Sequence, residues 1–394
     1  MAAGGTMQQR IRASMLALGL ISGLLVAVPV SASSRTYKAI SSGYQFACAL
    51  TTAGKAYCWG KNHLGQLGNN DETGADQDAP VAVYTGLKFT SITAGYNHVC
   101  ALTKTGTAYC WGYDGTGQLG NDDYSGMEVV PVAVVTDLKF KSISAGENHT
   151  CALTGTGAAY CWGYNIDGRL GNGDAPNDQH VPVAVETALR FKSIAASSYH
   201  TCALTNAGVA YCWGANTSGQ LGTGEAFLDE HDTPFPVDTD LKFASITGGT
   251  YHTCTLTKAS IVYCWGEDEY GQLGDGTNSD ASTPVVMDIS GVSGKIASIA
   301  AGSSAYSTCV VTTKGDVYCT GYGEYGVFGD GNDGDSTTLV PAATGVKVKT
   351  VVVSDYNGYG LTKAGKVYAW GDDTDGNLGN GADGENRYHP VLVQ

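Results

Sequence analysis

From Tyr37 onward the chain alternates apolar and polar residues over short runs separated by glycine-rich turns. "FKSISA" (Phe140–Ala145) has the period of two that marks a half-buried strand, and so do "HTCALT" (His149–Thr154) and the "AAYCWG" that follows it. The intervening "GTG" (155–157) supplies glycine where a tight hairpin loop needs a positive φ. "PVAVV" (131–135) reads as a further strand; its proline cannot donate to a ladder, which suits a sheet edge. No stretch after residue 32 carries helical periodicity.

This group of four strands recurs every 50 to 55 residues. Trp-Gly returns at Trp59, Trp111, Trp162, Trp213, Trp265 and Trp370, with Thr320 at the seventh place. Four antiparallel strands per repeat predict propeller blades, hence an all-β, seven-bladed β-propeller. The N-terminal repeat has no Pro-Val strand before it, and "HPVLVQ" ends the chain with no hairpin after it. Reading each blade as starting at its Pro segment therefore predicts that the N- and C-terminal strands complete one blade together, closing the ring without exposed edges.

The unit "LKFTSITAGYNHVCALTKTGTAYCWGYDGTGQLG" (87–120) resembles the regulator-of-chromosome-condensation repeat, whose consensus includes "AGxxHxxAL" and "GxVYxWGxNxxGQLG". The resemblance covers residues 36–394 and implies the same seven-bladed propeller, here in a secreted, bacterial-type form. Its founding member is a chromatin-bound exchange factor for a small nuclear GTPase. Other members are similar to plant light receptors, ubiquitin-ligase modules and a secreted inhibitor of beta-lactamases. This chain has no basic tail and no insertion large enough to act as a wedge in a GTPase, so fold carries over and exchange activity does not.

Residues 1–32 carry Arg10 and Arg12, an apolar run from Met15 to Val30 and the small-residue site "VSA". That is the pattern of a secretory signal peptide, which leaves 33–394 as one propeller domain with no further bilayer-length apolar run. The expectation is a secreted protein, extracellular or periplasmic and monomeric. The net charge of −15 becomes −17 once the two arginines are removed, which argues against nucleic-acid binding.

Twelve cysteines stand ten apart in six pairs: Cys48/Cys58, Cys100/Cys110, Cys151/Cys161, Cys202/Cys212, Cys254/Cys264 and Cys309/Cys319. In the hairpin register each pair faces across the two strands, which predicts disulfides, each worth about 3 kcal/mol in the chain-entropy model. Free thiols or a metal site are the alternatives, although metal ligation favours shorter Cys-x-x-Cys spacing. His98, His149, His200 and His252 recur at one position, and Phe46, Ser307 and Asn357 interrupt the ring. The expected role is a structural hydrogen bond rather than a metal.

Acidic residues concentrate in the seven loops between each "GQLG" element and the next proline segment, with 20 acids against the single basic Arg387. Strand alternation sends these loops to one end of the ring. The hairpin turns with Lys55, Lys104, Lys258, Lys314 and Lys363 belong to the other end. Two readings follow: a solvated acidic end, or a docking surface for a basic protein or cell-surface partner. The docking residues would be Asp71, Glu72, Asp122, Asp123, Tyr124, Phe227, Asp229, Glu230 and Asp232. Weak calcium sites are a further candidate, with Asp330, Asn332, Asp333 and Asp335 in one loop and Asp372 and Asp375 in another; neither completes an EF-hand.

No motif for catalysis is present, since there is no G-x-S-x-G and no H-E-x-x-H. "GTGQLG" (Gly115, Gly117, Gly120) matches a dinucleotide-binding glycine pattern, but a hairpin strand precedes it and an acidic loop follows it. The functional expectation is a protein-binding scaffold and not an enzyme, with inhibition of a secreted or periplasmic enzyme as the alternative and no cofactor.

Overall fold

The computed structural model describes residues 35–123, 126–225, 229–382 and 384–394. They form seven separate four-stranded antiparallel sheets, each made of four consecutive strands. In the first blade these are β1 (Tyr37–Gly43), β2 (Phe46–Thr51), β3 (Ala56–Gly60) and β4 (Gln77–Ala82). The "FKSISA"-type strand comes first in each blade and lines the axis; the proline strand comes last.

This partition corrects the expected closure. The proline strand pairs back onto the Trp-Gly strand of its own repeat, as Tyr57 with Ala82 and Cys58 with Val81 show. The C-terminal strand Arg387–Leu392 likewise completes the last blade, beside Val367–Gly371, and does not join the first. Seven hairpins and seven proline strands match in order under either assignment, so counting could not choose between them. Local antiparallel return does choose, because it needs no long-range exchange of strands.

The ring closes through packing between the first and last blades. Tyr37 N donates to Gly365 O at 2.8 Å, and Trp59 Nε1 donates to Asn377 O at 3.0 Å. Tyr37, Ile40, Trp59, Tyr359, Leu378 and Val393 form one buried cluster across that seam.

The recurrent residues join each blade to the next. Trp162 is fully buried, and its Nε1 donates to the Gln118 carbonyl of the preceding blade at 3.0 Å. Thr150 Oγ1 donates to the same carbonyl at 2.9 Å. With its proton committed there, the Thr150 hydroxyl accepts from His98 Nε2 at 2.9 Å, which fixes the tautomer of a fully buried imidazole. The relay repeats as His149–Thr201, His200–Thr253 and His252–Thr308, each threonine donating to the equivalent carbonyl at Arg169, Gln220 or Gln272. Burial lowers the His98, His200 and His252 pKa values to about 3, so the imidazoles stay neutral. They are structural, as their spacing implied.

"GTGQLG" resolves in the same way. Gly120 has φ +69°, and a Cβ there would lie 2.7 Å from Trp162 Nε1. Gly117 also has positive φ, whereas Gly115 does not. The last two glycines are the turn that lets a blade approach its neighbour's tryptophan.

All twelve cysteines are closed in the six expected disulfides. Cys48 joins Cys58, Cys100 joins Cys110, and Cys151 joins Cys161. Cys202 joins Cys212, Cys254 joins Cys264, and Cys309 joins Cys319. In every pair the two residues stand directly opposite in the ladder between the second and third strands. The Cα–Cα distance is 4.1 Å each time, which places the pairs at the closer, non-hydrogen-bonded rungs. Neither alternative survives, because no cysteine is free to act as a thiol or a metal ligand. In the last blade Tyr359 and Ala369 replace the pair, and Tyr359 OH donates to Asn377 O at 2.8 Å. In the sixth blade Thr320 takes the tryptophan position, and its single hydroxyl proton is shared between Gly271 O and Ser336 O, at 2.8 and 2.7 Å.

Candidate functional site

Antiparallel order places the turn between the first and second strands of a blade at the same end as the long acidic loop between its third and fourth. The first strands line an axial channel of about 300 Å³ walled by small residues such as Ser41, Thr93, Ser144 and Thr247. Hydroxyls tie these strands together around the axis: Ala94 N donates to Ser41 Oγ and Ala196 N to Ser144 Oγ, at 2.9 and 3.0 Å.

At the loop end the channel opens into a mouth built from the inner turns. Two turn positions, immediately before the His98-type residue, carry its side chains. One holds Tyr44, Tyr96, Glu147, Ser198, Thr250 and Asp355; the next holds Tyr199, Tyr251, Tyr306 and Tyr356. All of these but Tyr251, together with Ser304, enclose a cavity of about 200 Å³.

The tyrosines touch in a continuous arc. Tyr96 stacks on Tyr44 at 4.4 Å between ring centroids, and Tyr44 meets Tyr356 edge-on at 6.2 Å. Tyr322 and Tyr270, from the third-to-fourth-strand loops, carry the arc on to Tyr306 through contacts of 6.4, 5.2 and 5.7 Å. Tyr251 and Tyr199 end it, stacked at 4.7 Å. The gap falls at the third blade, where Glu147 replaces tyrosine.

Two carboxyls face this mouth, and their surroundings differ. Glu147 has partners: Asn148 Nδ2 donates to it at 3.1 Å, and Ser198 and Tyr199 also hydrogen-bond to it. Burial raises its pKa, while the nearby Arg169 guanidinium opposes that shift. Arg169 stands where four other blades carry glutamine; it is 1% exposed, bonds to Ser198 O and Asp167, and lies 4.9 and 5.2 Å from the Tyr164 and Tyr199 ring centroids.

Asp355 has no such company. It is 8% exposed, and among the described residues no hydrogen bond reaches its carboxylate and no cation offsets it. Burial pushes its pKa well up, and the Glu147 charge pushes it the same way. Its own charge in turn helps to raise the phenol pKa values of Tyr44, Tyr96, Tyr306 and Tyr356, behind burial in each case.

The residues singled out from sequence lie further out. Glu72, Asp122, Asp123, Asp229 and Glu230 are exposed on the outer loops, and Asp232 is exposed on the fourth strand of its blade, His231–Pro236. Asp71 commits its carboxylate to Thr73 N, Thr73 Oγ1 and Ala75 N. Tyr124 and Phe227 fall outside the described residues. The disulfides, from Cys48–Cys58 round to Cys309–Cys319, are buried inside the blades and do not line the mouth. The calcium candidates do not converge. Asp330 caps Asn332, Asp335 accepts from Gly323 N, and Asp372 accepts from Thr374 and Asn377. Asp333 reaches Tyr388 at 3.4 Å, and Asp375 lines a separate shallow surface pocket with Asp76 and Asp78. Among the described residues no three His, Cys, Asp or Glu side chains are placed to hold a metal ion, and no helix is long and apolar enough to cross a membrane.

Sequence reading missed the mouth. Its tyrosines alternate between two adjacent repeat positions, so neither column of the aligned repeats looks aromatic throughout. The signal that could have found them is the loss of repetition itself, directly beside the repeating histidine.

The model of the RCC1-like domain matches residues 23–303 and 127–394, which together span nearly the whole chain. The chain belongs to this family. Among curated relatives, the Ultraviolet-B receptor UVR8 of Arabidopsis thaliana is 29% identical over 379 residues, covering 94% of this chain and 84% of that protein. The human Regulator of chromosome condensation is 28% identical over 362 residues, covering 86% and 85%. Among solved structures, Prp20p of Saccharomyces cerevisiae superposes with a TM-score of 0.77 at 21% identity, over 91% of this chain and 87% of that one, which supports the fold. The RCC1-like propeller with disulfides inside its blades is consistent with a protein-interaction scaffold.

Proposed function

We propose that this protein is an exported scaffold that docks a basic protein or cell-surface partner on the end of the propeller that carries its acidic loops. The observation behind this reading is the segregation of charge between the two ends. Twenty acids occupy the seven segments between each "GQLG" element and the next proline segment, and the tight hairpin lysines lie at the opposite end. A surface of one sign steers an oppositely charged partner and fixes its orientation. Prp20p, a propeller of the same fold, is described by its binding to Gsp1p and histones, which is in keeping with an interaction role. Export rests on the pattern of residues 1–32 and on six disulfides, which persist in oxidising compartments. The protein works by binding and as a monomer, without turnover or cofactor.

A pull-down from the native exported fraction, repeated at rising salt, tests this. Capture should fall steeply as salt rises, because the Debye length shrinks from about 10 Å at 0.1 M to about 3 Å at 1 M. It should also fall when Asp71, Glu72, Asp229, Glu230 and Asp232 are changed together to their amides. Capture indifferent to both would overturn the reading.

The tyrosine arc favours a second reading, inhibition of an exported enzyme, because rigid aromatic anchors are the usual hot spots of tight complexes. It calls for a stable one-to-one complex that resists salt and collapses when Tyr124 or Phe227 becomes alanine.

A further inference from the structure

The acidic end holds one group whose charge the chain leaves unanswered. Glu147 has hydrogen-bond donors and Arg169 nearby, whereas Asp355 is more than nine-tenths buried with neither a donor nor a cation among the described residues. A buried, unpaired carboxylate is costly, and a cationic ligand that paired with it would relieve that cost. It faces a cavity of about 200 Å³ walled by phenol rings. That space holds roughly six waters at ~30 Å³ each, and is smaller than the roughly 300–1,000 Å³ of a drug-sized site, so it suits one side chain.

The walls suit a cation as well. A ring face attracts positive charge within about 6 Å of its centroid. The chain already places cations on rings of this end: Lys61 Nζ lies 4.8 Å from the Tyr44 centroid, and the Arg169 guanidinium lies over Tyr199. Neither answers Asp355, because Lys61 donates to Gln45 Oε1 and Arg169 is engaged with Asp167 and Ser198.

We propose that the mouth receives one alkylammonium group, the side chain of a lysine presented by the docking partner. An ammonium offers three donors in a tetrahedral arrangement. The acceptors here stand on different blades around the axis, with Asp355 on one side, Glu147 on another, and the Thr250 and Ser304 hydroxyls beside them. A planar guanidinium pairs best side-on with a single carboxylate. The lysine stem would lie against the phenol faces while its head reaches Asp355. This assignment rests on the reading of the acidic end as the docking end.

The test follows tyrosine NMR shifts of the protein during titration with the pentapeptide Gly-Gly-Lys-Gly-Gly, its norleucine analogue and n-butylammonium. The lysine peptide should shift the mouth tyrosines and saturate, and the uncharged norleucine peptide should not. Asp355→Asn, which keeps shape and removes charge, should weaken the lysine peptide roughly tenfold or more. Equal binding of the lysine and norleucine peptides, or undiminished binding by Asp355→Asn, overturns the cation site. Binding of n-butylammonium as tight as that of the peptide overturns the assignment to a protein's lysine. The loop-amide variant separates the two readings. If it still binds the lysine peptide while wild-type capture of partners is insensitive to salt, the mouth stands and the loop reading falls. If the lysine peptide fails while salt-sensitive capture persists, the reverse holds.

Discussion

Glu147, in an inner turn, and His149, at the start of the strand that follows, are two residues apart, and the molecule uses their positions in opposite ways. The position of His149 repeats around the ring, is fully buried and has its Nε2 hydrogen committed to Thr201 of the next blade. The position of Glu147 varies from blade to blade through Tyr44, Tyr96, Ser198, Thr250 and Asp355, and it faces an open cavity. In a closed repeat protein every blade must solve the same packing problem, so residues that solve it recur. A residue freed from that constraint can differ, and where several differ around one axis they build a surface with no internal symmetry. Repetition marks the scaffold, and its local failure marks the candidate site.

The largest expected effect strikes the scaffold alone. Reducing the six disulfides removes about 3 kcal/mol apiece in the chain-entropy model, without strict additivity. Calorimetry with and without reductant should show Tm falling by roughly 15 °C or more. A fall of a degree or two would mean that the bridges add little to the blade seams.

Acid should be the next strongest. His98, His200 and His252 have pKa values of about 3 when folded, below the ordinary 6.5. The unfolded chain therefore takes up protons first. Their stabilising contribution is complete above about pH 6.5 and is lost as pH falls towards about 3, at about 1.4 kcal/mol per histidine per pH unit. Asp114 and Asp268, whose pKa values burial raises to about 7, act with the opposite sign and gain stability from pH 7 down to about 4. Urea midpoints for wild type and His98→Gln across this range separate the two. The variant should be weaker at neutral pH and show a flatter acid limb.

Thr150→Val tests one relay. It leaves His98 Nε2–H without an acceptor and the Gln118 carbonyl with one donor fewer, at a cost of about 1–3 kcal/mol by urea unfolding. Binding at the mouth should be unchanged.

The smallest effect has the opposite sign. Asp355→Asn removes a buried carboxylate without a partner, so it should stabilise the neutral-pH fold by about 1 kcal/mol while weakening lysine recognition. Stabilisation by loss of a site residue would set the mouth apart from every scaffold position. A clear loss of stability would instead place Asp355 among the structural residues.

The expectations drawn from sequence fared differently according to how local they were. The cysteine pairs, such as Cys100 with Cys110, were legible because a ten-residue spacing across a short hairpin leaves little freedom of register. The histidines could be read as structural, but their acceptors could not, since Thr150 lies 52 residues beyond His98. The calcium candidates misled because close acids in a loop need not converge; here Asp330, Asp335 and Asp372 satisfy their own backbones.

By itself the sequence determined that this is a seven-bladed, disulfide-stapled propeller, because strand period, turn glycines and repeated Trp and Cys positions are local properties copied along the chain. Only the tertiary structure decided which four strands make a blade, since order along the chain is the same for either grouping. Only it gathered Tyr44, Tyr199 and Asp355 at one mouth, because closing the ring brings residues more than 300 positions apart to the walls of one cavity.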